Sequence, residues 1–262
     1  MIPNIQLQAV AAAAARRAGE HVLANLHRRH DANMAAKSDV KHKLDVEAQE
    51  IATRTILDAY PDHTLLGEET CDIPLPDSEY RWVVDPIDGT INFFHGSPWW
   101  CCSVAVCHRN ETVAAAVFAP EWGRLFQATA DGPATCNGEM IHASDCDNTD
   151  LSIFLTGASG ISKGDSPLPY FTTISKHCQR VRINGAAALD MCMVAAGKAE
   201  GYFEPGIYLW DLCAAELIVK RAGGCCTRIR EHGHYKFSFL ATNAALHPFY
   251  RAHIDPLINP PK

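Results

Sequence analysis

Residues 81–96 read RWVVDPIDGTINFFHG and set two aspartates, Asp85 and Asp88, three apart directly after an apolar, strand-like run. Pro86 cannot donate a ladder hydrogen bond, so the chain is expected to leave the strand here and project both carboxylates from its end. Gly89 permits close backbone approach. Thr90 is placed to cap a short helix starting at Ile91, whose free N–H groups and positive dipole end suit a phosphate oxygen. Carboxylates beside a phosphate would repel it unless divalent cations sit between them, and oxygen ligands suit a hard cation such as Mg²⁺. Taken alone, the same run is an Asp-rich turn with an Asx-type cap.

Two further stretches carry acids in comparable settings. LLGEET (65–70) follows an apolar run and places Gly67 before Glu68 and Glu69, while YLWDLCAAEL (208–217) puts Asp211 at a helix start. Singly these are a solvated turn and a helix N-cap. With Asp85 and Asp88 they form a carboxylate set carried on separate segments.

Other chemistries lack their signatures. There is no GxxxxGK or GxGxxG phosphate loop and no Cys-x5-Arg cradle. The 13 histidines are dispersed without HExxH, and the nearest pair, His232 and His234 in EHGHYK, reads as turn histidines. None of the 11 cysteines forms CxxC, and their small apolar neighbours point to core packing in a reducing cytoplasm. Trp99 and Trp100 read as core or subunit contacts before a ligand platform.

The elements that must position these residues follow from periodicity. Apolar side chains at Leu7, Val10, Ala14, Ala18, Val22 and Leu26 predict a helix within 5–30, and Val46, Ile51, Ile56 and Leu57 predict another over 45–60, ended by Pro61. Strands are predicted at 81–85, 101–108, 111–119 and 124–130, the short turns between the last three implying a largely antiparallel meander. From about residue 150 strands and helices alternate: strands at 151–156, VRI, GYF, 225–230 and 238–242, and helices near 170–179, 186–197, 211–222 and 244–257. Gly223-Gly224 should stop the third of these helices. The class is α/β of the α+β type, a single domain with a helix-plus-antiparallel-sheet half (about 1–148) and an α/β half (about 149–262). SGISKGDSPLP (159–169) is the one linker-like segment.

A chain of 262 residues with 47% hydrophobic and 20% charged residues can bury a large core. Its formal charge of -7, with no basic cluster longer than a pair, argues against nucleic-acid binding and favours cations. The apolar run Ala9–Ala15 is too short to span a bilayer and precedes its arginines, so no signal peptide, membrane anchor or membrane partner is expected.

GEE, WVVDPIDGTINF and WDLCAAELIVKRAGG stand in an order and spacing that resembles the inositol monophosphatase family of Mg²⁺-dependent, lithium-sensitive phosphatases. CNGE (136–139), VRINGAAALDMCMVAAGKAEGYFEPG (181–206), Lys37 and Asp45 extend the match from about residue 35 to 245. The resemblance implies a layered αβαβα sandwich, a homodimer and two or three Mg²⁺ per active site. It implies that Glu68, Asp85 and the Ile87 carbonyl bind one metal, and that Asp85, Asp88 and Asp211 bind a second. Two cations roughly 3.5–4 Å apart can activate a water and stabilise the leaving oxygen in one in-line displacement.

By the same resemblance Thr90, supported by Asp45, orients the water, Glu68 contacts it, and the Gly89 and Thr90 amides hold the phosphate. Lys37 stands near the metal and phosphate shell. Asp88, Glu204 and Asp211 accept hydrogen bonds from substrate hydroxyls, with the backbone of Gly185, Ala186 and Ala187 lining the pocket. Asn92 matches the form of the motif that favours inositol phosphate over phosphoadenosine phosphate. Two departures, Ala186 in place of Ser or Thr and His42 three residues before Asp45, bear on substrate more than on reaction type. The expected activity is hydrolysis of inositol monophosphate. Fructose 1,6-bisphosphate, histidinol phosphate and phosphoadenosine phosphate are alternatives, as is a regulatory role toward a partner such as the transcription machinery.

Overall fold

The computed structural model describes residues 1–36, 39–70, 78–157 and 166–260, without the side chains of 32–42. Lys37 and most of the linker-like segment lie outside the described residues. The elements in chain order are α1 (Asn4–Ala24), β1 (Ala32–Ala36), β2 (Asp39–His42), α2 (Lys43–Ala59), β3 (Thr64–Gly67), β4 (Tyr80–Asp88), α3 (Thr90–His95), β5 (Cys101–His108), β6 (Glu111–Ala119), β7 (Arg124–Thr129), β8 (Thr135–Cys136) and β9 (Glu139–Met140). There follow β10 (Ile153–Thr156), α4 (Leu168–Ser175), β11 (Arg180–Arg182), α5 (Ala187–Ala195), β12 (Gly201–Tyr208), α6 (Leu209–Arg221), β13 (Cys225–Gly233), β14 (Lys236–Thr242) and α7 (His247–Ile258).

Two sheets result. The larger has the order β3-β4-β5-β6-β7-β8-β9, with β3 parallel to β4 and the remainder antiparallel, so the expected meander is its centre. The smaller has the order β11-β10-β12-β14-β13 and mixes parallel and antiparallel pairs. β1 and β2 pair separately as an antiparallel ribbon.

Side-chain alternation along the strands decides the layers. Trp82 and Val84 face α1 and α2, packing with Leu7, Ala11, Ala14, Leu44 and Ile56, whereas Val83 between them faces the opposite way. There it joins Leu189, Cys192, Leu212 and Ala215 of α5 and α6. On the smaller sheet Leu155, Tyr202 and Phe239 point to α5 and α6, and their neighbours Phe154, Phe203 and Leu240 point outward to Ile174, Tyr250 and Ile254 of α4 and α7. The layers are therefore helices, sheet, helices, sheet, helices: an αβαβα sandwich. With both sheet faces covered, β5 runs CCSVAVC buried at every residue instead of alternating. Each large apolar side chain buried in this way contributes about 1.5–3 kcal/mol.

Some local expectations change. α1 stops at Ala24 and a 3₁₀ turn, Leu26–Arg28, follows. β4 does not end at Pro86: Asp85 pairs with Ser103 and Asp88 with Cys101, three steps on one strand against two on the other, which is a bulge. The missing proline N–H falls within this irregularity, so the ladder resumes beyond it. Thr90 is the first helical residue of α3 and Gly89 is its cap, with no side-chain cap bond.

Candidate active site

The β4 bulge holds Asp85 and Asp88 close together at the strand's end. The Ile87 N–H donates to Asp85 Oδ1 at 3.0 Å, and the Thr90 hydroxyl donates to the Ile87 carbonyl at 2.9 Å. Between the second aspartate and Thr90, Gly89 takes φ 93°. A Cβ there would lie 2.9 Å from the Trp99 carbonyl oxygen and 3.0 Å from Ala186 Cβ, so both dihedral and space demand glycine.

Asp88 is fixed from across the sandwich. Its Oδ1 accepts the Ala187 N–H at 3.0 Å and its Oδ2 the Ala188 N–H at 2.7 Å, which makes it the anionic cap of α5. Asp211 sits in the first turn of α6, its Oδ2 accepting the Tyr208 N–H at 3.2 Å in a capping box. Each of Asp85, Asp88 and Asp211 offers an oxygen within 4.8 Å of the other two, and among the described residues no other such group of three metal-ligating residue types occurs.

Burial is the largest cause pushing the Asp85 and Asp211 carboxyls well above the usual carboxylate range; the charges of Glu68, Asp211 and Asp88 add to it at Asp85, and those of Asp88, Glu68 and Glu204 at Asp211. Burial also raises Asp88, to about 6, against the downward pull of the Ala188 and Ala187 amides. A cluster of oxygen ligands that resists its own ionisation in the absence of a cation fits a hard divalent metal, whose charge would reverse each of these penalties.

Glu68 enters from a different layer. It opens the 3₁₀ turn Glu68–Thr70 after β3. Gln49 of α2 holds that turn, its Oε1 accepting the Glu69 N–H at 3.0 Å and its Nε2 donating to Thr70 Oγ1 at 3.2 Å. A Cβ on Gly67 would meet Gln49 Oε1 at 2.3 Å, so the glycine lets the clamp close.

A cleft of about 540 Å³ opens over the cluster. Glu68, Asp85, Ile87, Asp88, Gly89, Thr90, Gly185, Ala186, Ala187, Glu204 and Asp211 all line it, so the sequence-predicted ligands and substrate contacts converge on one surface. Asp45 is not among the lining residues: it is buried in the first turn of α2, and the Thr90 hydroxyl proton is directed to Ile87 rather than toward it. Glu204 accepts from the Tyr202 hydroxyl and packs where a Cβ on Gly157 would stand 2.0 Å from its Cδ. Asn92 ties the wall together, its Nδ2 donating to the Trp99 and Asn184 carbonyls at 2.8 and 2.7 Å.

Sequence reasoning missed Gln49, Gly157, Tyr202 and Asp190. Of these only Asp190 had a signal, as the lone acid in the otherwise apolar α5 sequence AALDMCMVA. Trp100 is fully buried and Trp99 packs edge-on against Trp122, in keeping with a core role. His232 hydrogen-bonds Ser238 Oγ at 2.7 Å.

Comparison with known proteins agrees with this geometry. The sequence profile of the inositol monophosphatase family matches residues 4–258. The chloroplastic phosphatase IMPL1 of Arabidopsis thaliana is 35% identical over 258 residues, covering 93% of this chain and 68% of that protein. The Nus factor SuhB of Escherichia coli is 34% identical over 220 residues, 82% of each chain. Among solved structures, the inositol monophosphatase of Anabaena superposes with a TM-score of 0.83 at 27% identity, covering 96% of both chains. The extragenic suppressor protein suhB of Bartonella henselae gives 0.86 at 26% identity, covering 95% of this chain and 98% of that one. Profile, relatives and fold coincide over nearly the whole length, and the chain belongs to the inositol monophosphatase family.

Proposed function

We propose that the protein is a Mg²⁺-dependent phosphomonoesterase that hydrolyses the phosphate ester of a small polyol, with inositol monophosphate as the leading substrate. The observation that carries this reading is the convergence of Asp85, Asp88 and Asp211 oxygens within 4.8 Å at the floor of an acidic cleft. Glu68, Asp85 and the Ile87 carbonyl would hold one cation, and Asp85, Asp88 and Asp211 a second. Bound there, divalent cations supply the charge that lowers the pKa of an attacking water and stabilises the leaving oxygen.

The chain's own groups do the rest. Backbone amides hold the three aspartates in place, so little reorganisation accompanies the reaction. Thr90 Oγ1, already bonded to Ile87, stands at the cleft to orient the water through its lone pairs, and the Gly89–Thr90 backbone borders the phosphate position. Glu204 and Asp211 accept hydrogen bonds from alcohol hydroxyls on the opposite wall.

A homodimer in the cytoplasm, acting on small molecules and not on nucleic acid or membrane, is part of the same reading. No helix among the described residues is long and apolar enough to cross a membrane. The name Nus factor carried by the SuhB relatives supports a second reading, a regulatory role alongside catalysis.

The test is Mg²⁺-dependent phosphate release from inositol 1-phosphate, fructose 1,6-bisphosphate, histidinol phosphate and phosphoadenosine phosphate, with and without lithium. Preference for the inositol ester, abolished by lithium, supports the proposal. No release from any ester while Mg²⁺ still binds defeats it in favour of the regulatory role.

A further inference from the structure

Asp190 is buried in α5 yet lines the cleft. Its Oδ1 accepts two hydrogen bonds, from Trp99 Nε1 at 3.0 Å and from Asn184 Nδ2 at 2.9 Å. No described residue hydrogen-bonds its Oδ2, and that oxygen is open to the cleft. The carboxyl is held rigidly by one oxygen and presents the other to whatever enters.

From this arrangement we propose that Asp190 is a further substrate-binding residue, its Oδ2 hydrogen-bonding a hydroxyl of the polyol half of the ester. The proposal rests on the phosphomonoesterase reading above and names a recognition element within it.

The direction of the hydrogen bond follows from chemistry on the same wall. Burial, the largest cause, pushes the Asp190 carboxyl up to about 8 against the downward pull of the Asn184 and Trp99 hydrogen bonds, and the charges of Asp88 and Glu204 add to the rise. At neutral pH the group therefore carries its proton, and because Oδ1 already faces two N–H donors, that proton resides on Oδ2. The side chain is then a donor in a wall where Glu204, which accepts from the Tyr202 hydroxyl, is an acceptor. A hydroxyl is both donor and acceptor, so a polyol can satisfy both kinds of partner, while an ester whose alcohol has no hydroxyl leaves them unmatched. Sites built to hydrogen-bond a hydroxyl discriminate strongly against analogues that lack it.

The experiment compares kcat/KM for inositol 1-phosphate with kcat/KM for phenyl phosphate, together with calorimetric binding of myo-inositol. Asp190→Ala removes the donor, and the selectivity ratio should fall by about tenfold or more, with inositol binding weakened by a similar factor. Asp190→Asn keeps an acceptor for Trp99 and Asn184 and offers N–H to the cleft, so its ratio should stay within about threefold of wild type. A purely structural role would depress both esters together and leave the ratio unchanged in Asp190→Ala; that result overturns the proposal, as does an Asn variant as unselective as the Ala variant. If wild type releases phosphate from neither ester, the phosphomonoesterase reading has failed, and the two failures are distinct.

Discussion

Gly89 couples stability to the site, and Gly89→Ala measures that coupling. The residue sits at φ 93° and ψ 36°. Placing a non-glycine residue in left-handed backbone costs about 1–2 kcal/mol. The added methyl would also lie 2.9 Å from the Trp99 carbonyl oxygen, closer than carbon and oxygen rest, with Ala186 Cβ at 3.0 Å blocking retreat. Burying a methyl returns only about 0.8 kcal/mol, so strain wins and a net loss of about 2–3 kcal/mol is expected. At roughly 2–4 °C per kcal/mol for a chain near this size, the melting temperature should fall by about 5–10 °C.

Gly123→Ala is the matched control. Gly123 is also left-handed, φ 58°, and nothing lies within 4 Å of its Cβ position, so it isolates the backbone term of about 1 kcal/mol. Relief of the Gly89 clash must move the chain between Asp88 and Thr90, and displacements of up to 1 Å at reacting groups cost on the order of 100-fold in rate. Gly89→Ala should therefore lose turnover as well as stability, and Gly123→Ala stability alone. The reasoning is refuted if the two variants melt together and Gly89→Ala retains wild-type phosphate release.

Three other outcomes follow from the same contacts. Asp88→Asn keeps one acceptor but turns an amide toward the Ala187 or Ala188 N–H; it should destabilise by about 1–3 kcal/mol and abolish both turnover and the Mg²⁺-induced rise in melting temperature, checked by calorimetric melting with and without Mg²⁺. Gly157→Ala should raise KM for the polyol ester about tenfold with the fold intact, since its Cβ would displace the Glu204 carboxylate that Tyr202 pins; unchanged KM would mean Glu204 does not contact substrate. Glu47, gripped by Arg28 at 2.6 Å and His21 at 2.9 Å, has its carboxyl lowered to about 2, mainly by the Arg28 hydrogen bond. Because the folded pKa is depressed, this stabilisation is present above about pH 4.5 and lost as pH falls toward 2. With the side chain 35% exposed, screening reduces it to about 1 kcal/mol, and the stability gap between wild type and Glu47→Gln in urea melts should close over that window.

The acids were legible because each follows a recognisable local signal. Asp85 and Asp88 come after an apolar run, Glu68 after Gly67, and Asp211 in the first turn of a helix whose glycine stop is also visible. What fixes them was not legible, because the partners are remote in sequence. Asp88 meets α5 amides 99 and 100 residues away, and Trp99 meets Asp190 91 residues away. No spacing rule encodes such contacts. β3 and the two-residue β8 and β9 escaped for a different reason: they are too short to show a period, and only neighbouring strands define them. The β4 bulge is likewise a tertiary result, since Pro86 read alone ends a ladder that Ser103 and Cys101 in fact continue.

The chain treats its buried acids in two opposite ways. Glu216, 7% exposed, is neutralised by Arg228 and Lys220, each at 2.7 Å. In the cleft the aspartates meet backbone N–H groups of Ile87, Ala187, Ala188 and Tyr208, and neither lysine nor arginine is among the described lining residues. An amide fixes a carboxylate's position nearly as well as a guanidinium does, but it contributes no full positive charge. The carboxyl oxygens are thus left without a countercharge where a cation would need them, and burial adds to the cost of their ionisation until one binds. A guanidinium in the same place would relieve that cost and, by occupying the same oxygens, remove the reason for a metal to bind.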